Sequence, residues 1–292
     1  MLSKELLKKV RKIQYKISRM SDEMISGQYT SVFKGVGIEF DEVREYIPGD
    51  DVRSIDWNVT ARTGVPHIKR FSEERELTVM LAIDLSGSQR FGSAESLKSE
   101  LAAEISALLA FLAIKNNDKV GLLIFTDTCE KYLPPQKGRQ HVLRVIREIL
   151  GYQPSGKGTR IEEALNFVNR ILKQRSVVFL VSDFIDGNFE KILGITARRH
   201  DLVAVRLKDP KEVELPRLGL VEFEDNETGQ RVLIDTADEQ VGEMIRTEAK
   251  KHDESLVKLF RRNKVDLIDI VTDQSYLEPI QKFFKLRERR MR

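Results

Sequence analysis

Three segments far apart in the chain each set oxygen-bearing side chains at the end of an apolar run. They are Asp84-Leu85-Ser86-Gly87-Ser88 after residues 79–83, Gly158-Thr159 before the helix-like Ile161-Glu162-Glu163-Ala164-Leu165, and Ser182-Asp183 after residues 177–181. If the runs 79–83 and 177–181 are neighbouring parallel strands, these oxygens converge at the carboxyl edge of one sheet, where open α/β folds bind ligands. Such a spot suits a hard divalent cation. Magnesium takes six oxygens at about 2.1 Å and keeps several waters, so hydroxyls with one or two carboxylates suffice. The candidate ligands are Asp84, Ser86, Ser88, Thr159 and Asp183, the last through water. Gly87 eases the first turn, and Gly156 and Gly158 are expected to fold the second loop inward through positive φ. Helix capping explains any one of these segments taken alone. Their convergence on one edge favours the metal.

The rest of the chain supports such a sheet. Apolar runs predict strands at 78–83, 119–125, 129–133, 176–181, 201–207 and 266–271, with helices near 95–115, 138–150, 161–173, 189–199, 238–261 and 275–286. Strands separated by helices of this length imply a doubly wound, mostly parallel six-stranded α/β sheet covered on both faces. Residues 217–235 interrupt the alternation as a hairpin, because Leu220-Val221-Glu222-Phe223 and Arg231-Val232-Leu233-Ile234 flank Asn226-Glu227-Thr228-Gly229.

Before this regular part lie two different regions. Leu2, Leu6, Val10, Ile13, Ile17 and Met20 recur at steps of three and four, which predicts a basic amphipathic helix and connection over 1–34. Packing on the domain is its expected role; an interfacial membrane helix would want an aromatic anchor that its apolar face lacks. Residues 35–77 mix Gly, Pro, aromatic and charged residues around the Pro48-Gly49 turn and predict a small β-rich subdomain. Arg44, Asp50, Asp51, Arg53 and Asp56 are expected to fix its turns, with a partner-binding surface as the alternative. Trp57, the single tryptophan, reads as a structural anchor. The main domain is expected over 78–286, with a basic tail at 287–292.

Composition sets the outer limits. A 292-residue chain with 41% hydrophobic residues can build one large α/β core with a smaller appendage. One cysteine, Cys129, permits no internal disulfide and points to a reducing compartment with a buried, unreactive thiol. The four histidines show no ligand spacing. No secretory signal is visible, and the longest apolar stretch, 105–114, is far short of the roughly 20 residues that cross a bilayer. The expected location is therefore cytoplasmic, with peripheral contact to the inner membrane through the basic ends as the alternative. Residues 1–20 and 282–292 are strongly basic and the body between them is acidic, although the net charge is only +3. Nucleic acid is not an expected partner, since solvated helix faces produce the same pattern.

Two chemistries lack the residues they need. Gly151-Tyr-Gln-Pro-Ser-Gly156-Lys157 has phosphate-loop spacing, but Gly158 stands where Ser or Thr must hold magnesium, and a helix precedes the loop instead of a strand. Hydrolysis needs a nucleophile with a base or a metal-activated water with an acid/base partner. Spacing places no His, Cys or Lys at the constellation. A metal-dependent hydrolase or phosphotransferase, with its base brought from a distant loop, is thus the alternative to a non-enzymatic role.

The Asp84-x-Ser86-x-Ser88 loop with Thr159 and Asp183 resembles the metal-ion-dependent adhesion site of von Willebrand factor A domains. A closer likeness spans nearly the whole chain: Gly37-Ile-Glu-Phe40, Arg44-Glu-Tyr46, Pro48-Gly-Asp-Asp-Val-Arg53, Ile55-Asp-Trp57, Ala61-Arg62, Arg199-His200-Asp201, Asp209-Pro210 and Glu214-Leu215-Pro216. These strings resemble the bacterial family known as the fifty-eighth domain of unknown function. The resemblance implies a von Willebrand factor A-like fold, magnesium at the adhesion site (manganese or calcium as alternatives), and a Glu or Asp of a protein partner completing the metal's shell. It further implies work beside a MoxR-type AAA+ ATPase in chaperone-like maturation of client proteins. Relatives often carry two N-terminal membrane helices, which this sequence replaces with the basic helix. Gln89 stands where many relatives have methionine after the second serine.

Overall fold

The computed structural model describes residues 10, 13, 15, 29, 32–33, 39–72, 76–90, 98–212, 217–224 and 229–291. They fall into two compact units, one of Lys34–Leu77 and the other of Met1–Phe33 with Thr78–Arg292.

In the smaller unit, β1 (Glu39–Glu45) pairs antiparallel with β2 (His67–Ser72). Between them lie a 3-10 turn (Val52–Ser54) and helix α1 (Trp57–Thr63). Arg44 forks onto Asp50 at 2.7 and 2.9 Å, and Asp50 also accepts the Ile47 N–H, so one carboxylate closes the Pro48-Gly49 turn. Asp51 caps the 3-10 turn, and Asp56 caps α1 through Asn58 and Val59 while pairing with Lys69 at 3.2 Å. Arg53 adds only its backbone N–H to this set. Two expectations need correction here. A seven-residue helix is too short to show periodicity and is set by Asp56 before it and by left-handed Gly64 after it. Trp57 is 67% exposed at its first turn, so it is no buried anchor.

The larger unit follows the alternation of the sequence. Its strands are β3 (Thr78–Asp84), β4 (Lys119–Phe125), β5 (Cys129–Gln136), β6 (Val177–Ser182), β7 (Asp201–Lys208) and β10 (Asp266–Val271), in the spatial order β10-β7-β6-β3-β4-β5. All pairings are parallel except β4 with the edge strand β5. The chain enters at the centre on β3, moves to one side through β4 and β5, then crosses to β6 on the other side of β3. Strand order therefore reverses between β3 and β6.

The helices are α2 (Lys98–Lys115), α3 (Arg139–Gly151), α4 (Ile161–Ile171), α5 (Glu190–Arg199), α6 (Glu239–Arg262) and α7 (Leu277–Met291). One face of the sheet, including Met80, Ala82, Val178, Leu180 and Ala204, packs with Leu165 and Val168 of α4, Leu193 of α5 and Phe260 of α6. Alternation sends Val79, Leu81 and Phe179 to the other face, where Phe33 meets Phe179 and the Phe283 and Phe284 rings of α7. Both faces being covered explains why β6 is buried at every position. The hairpin β8 (Leu220–Glu224) with β9 (Arg231–Asp235) stands apart from the main sheet.

At the N-terminus, Ile13 is buried in helical conformation, in keeping with a helix packed on the domain; Leu2, Leu6, Ile17 and Met20 lie outside the described residues. At the other end, α7 runs five residues past its expected limit. Arg287 pairs with Asp201 and Asp266, and Arg290 with Asp266, so positions 287 and 290 are helical and tied to the sheet instead of forming a free basic tail. Cys129 is half-buried, its thiol pushed up by burial and then by Glu163.

Candidate metal centre

The reversal of strand order leaves a crevice outside the carboxyl ends of β3 and β6, the switch point where doubly wound sheets place their ligands. Asp84 is the last residue of β3, and Ser182 and Asp183 end and follow β6. Asp84 is completely buried. Its Oδ1 accepts the Ser86 N–H at 2.9 Å, which bends the turn back, and its Oδ2 accepts the Ser182 hydroxyl at 2.7 Å. The turn places the Ser86 and Ser88 hydroxyl oxygens 3.0 Å apart.

Thr159 reaches this edge by two backbone tethers. Gly87 N–H donates to the Lys157 carbonyl at 2.7 Å, and Arg160 N–H donates to the Thr126 carbonyl at 3.0 Å. The segment between them is thus held against both the Asp84 turn and the end of β4. Positive φ is not the device that does this, contrary to expectation: neither Gly156 nor Gly158 is left-handed. Gly156 is needed for space, because a Cβ there would collide with the Asp127 carboxylate and the Thr126 hydroxyl.

Asp183 is 5% exposed; its Oδ1 accepts the Ile185 N–H at 3.3 Å. Between them stands Phe184 at φ 61°, an aromatic residue in a region that costs roughly 1 kcal/mol. Its ring, held against Phe189 and Phe260, and its N–H bond to the Ser182 hydroxyl keep it there. Local strain at this loop therefore fixes the direction in which Asp183 leaves the sheet.

Three participants were not evident from sequence spacing. Ser182 bridges Asp84 and Phe184. Lys98, at the start of α2, is completely buried with its ammonium 3.3 Å from Asp183 and hydrogen-bonded to Glu212. Glu212 follows β7 and also accepts the Asp209 N–H. A lysine does therefore reach the constellation, contrary to the sequence reading. Lys98 donates to two carboxylates, which is the arrangement of a counter-ion and leaves no free base.

The electrostatics are unbalanced. Burial, then the charge of Asp183, pushes the Asp84 carboxyl up to about 7, against the lowering effect of the Ser182 and Ser86 bonds. Burial likewise raises Glu212, with Lys98 opposing it. Asp183 and Glu212 share one ammonium, whereas Asp84 is bonded only to neutral donors. A second cation beside Asp84 would relieve this.

The donor set fits a hard cation. Neighbouring ligands on an octahedron with bonds of about 2.1 Å stand about 3 Å apart, and the two serine oxygens have that separation. Gln89, directly after the second serine, is buried with neither amide atom hydrogen-bonded to protein, as happens where water or an ion completes a polar cluster. Among the described residues no three His, Cys, Asp or Glu gather into a metal-binding group, so hydroxyls would have to carry much of the coordination.

The phosphate-loop look-alike is put to another use. Gly151 ends helix α3, and the N–H groups of Ser155 and Gly156 both donate to the Glu130 carboxylate, at 3.0 and 2.7 Å. Burial pushes Glu130 up, but those amides with the Thr126 and Tyr152 hydroxyls outweigh it and hold Glu130 below its ordinary value. The amides a phosphate would need are committed to the chain's own anion.

Comparison with known proteins agrees with the whole-chain likeness. Uncharacterized protein Rv1480 of Mycobacterium tuberculosis is 31% identical over 285 residues, covering 96% of this chain and 89% of that protein. Uncharacterized protein MAV169 of Mycobacterium avium is 28% identical over 160 residues, 54% of this chain and 94% of its own length. Among solved structures, conserved hypothetical protein BatB from Bacteroides thetaiotaomicron is similar at 17% identity and a TM-score of 0.48, covering 73% of this chain and all but 1% of its own. The SpRpn10 VWA domain is similar at 12% identity and a TM-score of 0.39, covering 70% and 94%. Residues 42–255 match the family described as Protein of unknown function DUF58, and the chain, a von Willebrand factor A-like doubly wound fold, belongs to that family.

Proposed function

We propose that the chain is a non-enzymatic adaptor that binds a protein partner through a divalent cation. Asp84, Ser86 and Ser88 hold the ion directly, Thr159 adds a hydroxyl, and Asp183 holds a coordinated water. The cation is magnesium, with manganese or calcium as substitutes. When bound, it supplies a Lewis-acidic position that accepts a Glu or Asp carboxylate of the partner. The observation that carries this reading is the pairing of a buried, cation-poor Asp84 with two serine oxygens at octahedral spacing.

Specificity follows from desolvation. A partner without a carboxylate at the right place leaves either a dehydrated ion or a buried acid without its counterpart, and both are costly. A MoxR-type AAA+ ATPase or its client is the partner that the family likeness suggests, with maturation of clients as the task. No described helix is long and apolar enough to cross a membrane. Work in the cytoplasm, at most peripheral to the inner membrane, is part of the same proposal.

Affinity purification from the native cell, in magnesium and again in chelator, tests this directly. Partners should be recovered in magnesium, lost in chelator, and lost for Asp84→Ala protein of unchanged circular dichroism. Recovery that is indifferent to both chelator and Asp84→Ala would overturn the adaptor reading.

A further inference from the structure

We infer that Lys98 is an internal competitor for the metal: its ammonium neutralises Asp183, sets how tightly the site takes a divalent cation, and is drawn away from the site by Glu212. The inference rests on the metal-centre reading above and adds a regulator to it. Three observations support it. Lys98 is wholly buried, although a lysine is almost never so placed unless it is paired. It is paired on both sides, with Asp183 at 3.3 Å and with Glu212, a residue on a different segment beyond β7. Asp183 in turn acts on Asp84 through its charge, so the ammonium sits one carboxylate away from the main ligand.

The physical consequence has a sign. A divalent ion beside Asp84 repels the ammonium and competes with it for the field of Asp183. Lys98 then moves its share of hydrogen bonding toward Glu212. Removing Lys98 should tighten metal binding, whereas neutralising Glu212 should leave the ammonium entirely on Asp183 and weaken it. A merely structural ion pair would give no such opposition, since both substitutions would simply lower stability. Because Glu212 also accepts the Asp209 N–H, and Asp209 accepts the Thr272 hydroxyl at 3.0 Å, the turn after β7 and the end of β10 join the metal site through this lysine.

Manganese, as a paramagnetic stand-in for magnesium, is titrated into the full chain and followed by electron paramagnetic resonance and by thermal unfolding. Lys98→Met should bind manganese about tenfold tighter than the unsubstituted chain or more, the order expected for a unit charge removed within a few ångströms. It should also gain more melting temperature on addition of the ion. Glu212→Gln should bind several-fold weaker. Equal or weaker binding by folded Lys98→Met overturns the inference, as does unchanged or tighter binding by Glu212→Gln, which decides the matter should Lys98→Met fail to fold. Metal binding that is the same in all three proteins defeats this inference alone. No binding by the unsubstituted chain but binding by Lys98→Met supports the competitor while defeating the adaptor reading, and no binding by either defeats both.

Discussion

The two edges of the central sheet bury similar side chains to opposite effect. At the amino edge, each carboxylate meets a partner from a terminal helix. Asp118 accepts the Tyr29 hydroxyl at 3.0 Å, and Arg287 reaches both Asp201 and Asp266 while stacking over Phe33 at 4.8 Å. At the carboxyl edge, Asp84, Asp183 and Glu212 have one ammonium among them, and the best-buried of the three has none. Paired charges close a fold. An unbalanced buried charge identifies the place where something else must bind.

If the amino edge is structural, its loss should be paid in stability alone. Arg287→Ala should destabilise the chain by about 3 kcal/mol, from two carboxylates left without their main cation and from lost packing on Phe33 and Phe283. Chemical denaturation measures this, and manganese affinity should be unchanged. A large change in affinity would erase the distinction between the edges.

His200, also at the amino edge, is buried with neither ring nitrogen hydrogen-bonded; burial, then Arg199 and Arg175, lower it to about 4. Unfolded, it titrates near 6.5. Between those values the unfolded chain binds more protons, so stability present above pH of about 6.5 is lost as pH falls toward 4, by about 3 kcal/mol at most. Comparing stability against pH for the unsubstituted chain and His200→Gln isolates this contribution, and the variant should have a flatter curve over that window.

At the carboxyl edge, Ser182→Ala removes one of the two donors to Asp84. We expect a stability cost of about 1–2 kcal/mol and roughly tenfold weaker metal binding, read from the same titrations. A stability loss without the affinity loss would make Ser182 purely structural. The smallest effect belongs to Arg290→Ala. Arg290 is 66% exposed in its pair with Asp266, so its removal should cost no more than about 1 kcal/mol despite lying one turn from Arg287.

The sequence was most legible where local pattern and tertiary structure agree. Continuous apolar runs located β3, β4, β6, β7 and β10 within a residue or so, because strands covered on both faces need little beyond hydrophobicity. The same runs ended at Asp84 and at Ser182-Asp183, so the edge carrying the candidate ligands could be read before any coordinates. What escaped is what only the fold brings together. Lys98 sits in Lys98-Ser-Glu-Leu, which reads as the wet start of a helix, and Glu212 in Pro-Lys-Glu, which reads as a turn. Nothing local says that they meet. The closing of the 156–159 loop was missed for a related reason, since the carboxylate and hydroxyl that crowd Gly156 belong to residues 126 and 127. Trp57 and the end of α7 mark the other limit: rarity does not imply burial, and a run of basic residues can be helical when acids lie beneath it.

The central claim is that the buried Asp84 turn holds one divalent ion, and manganese binding followed by electron paramagnetic resonance tests it most directly. The account predicts one ion per chain, displaced by magnesium, and none for folded Asp84→Ala protein. No bound manganese in the unsubstituted chain, or equal binding after Asp84→Ala, would contradict it.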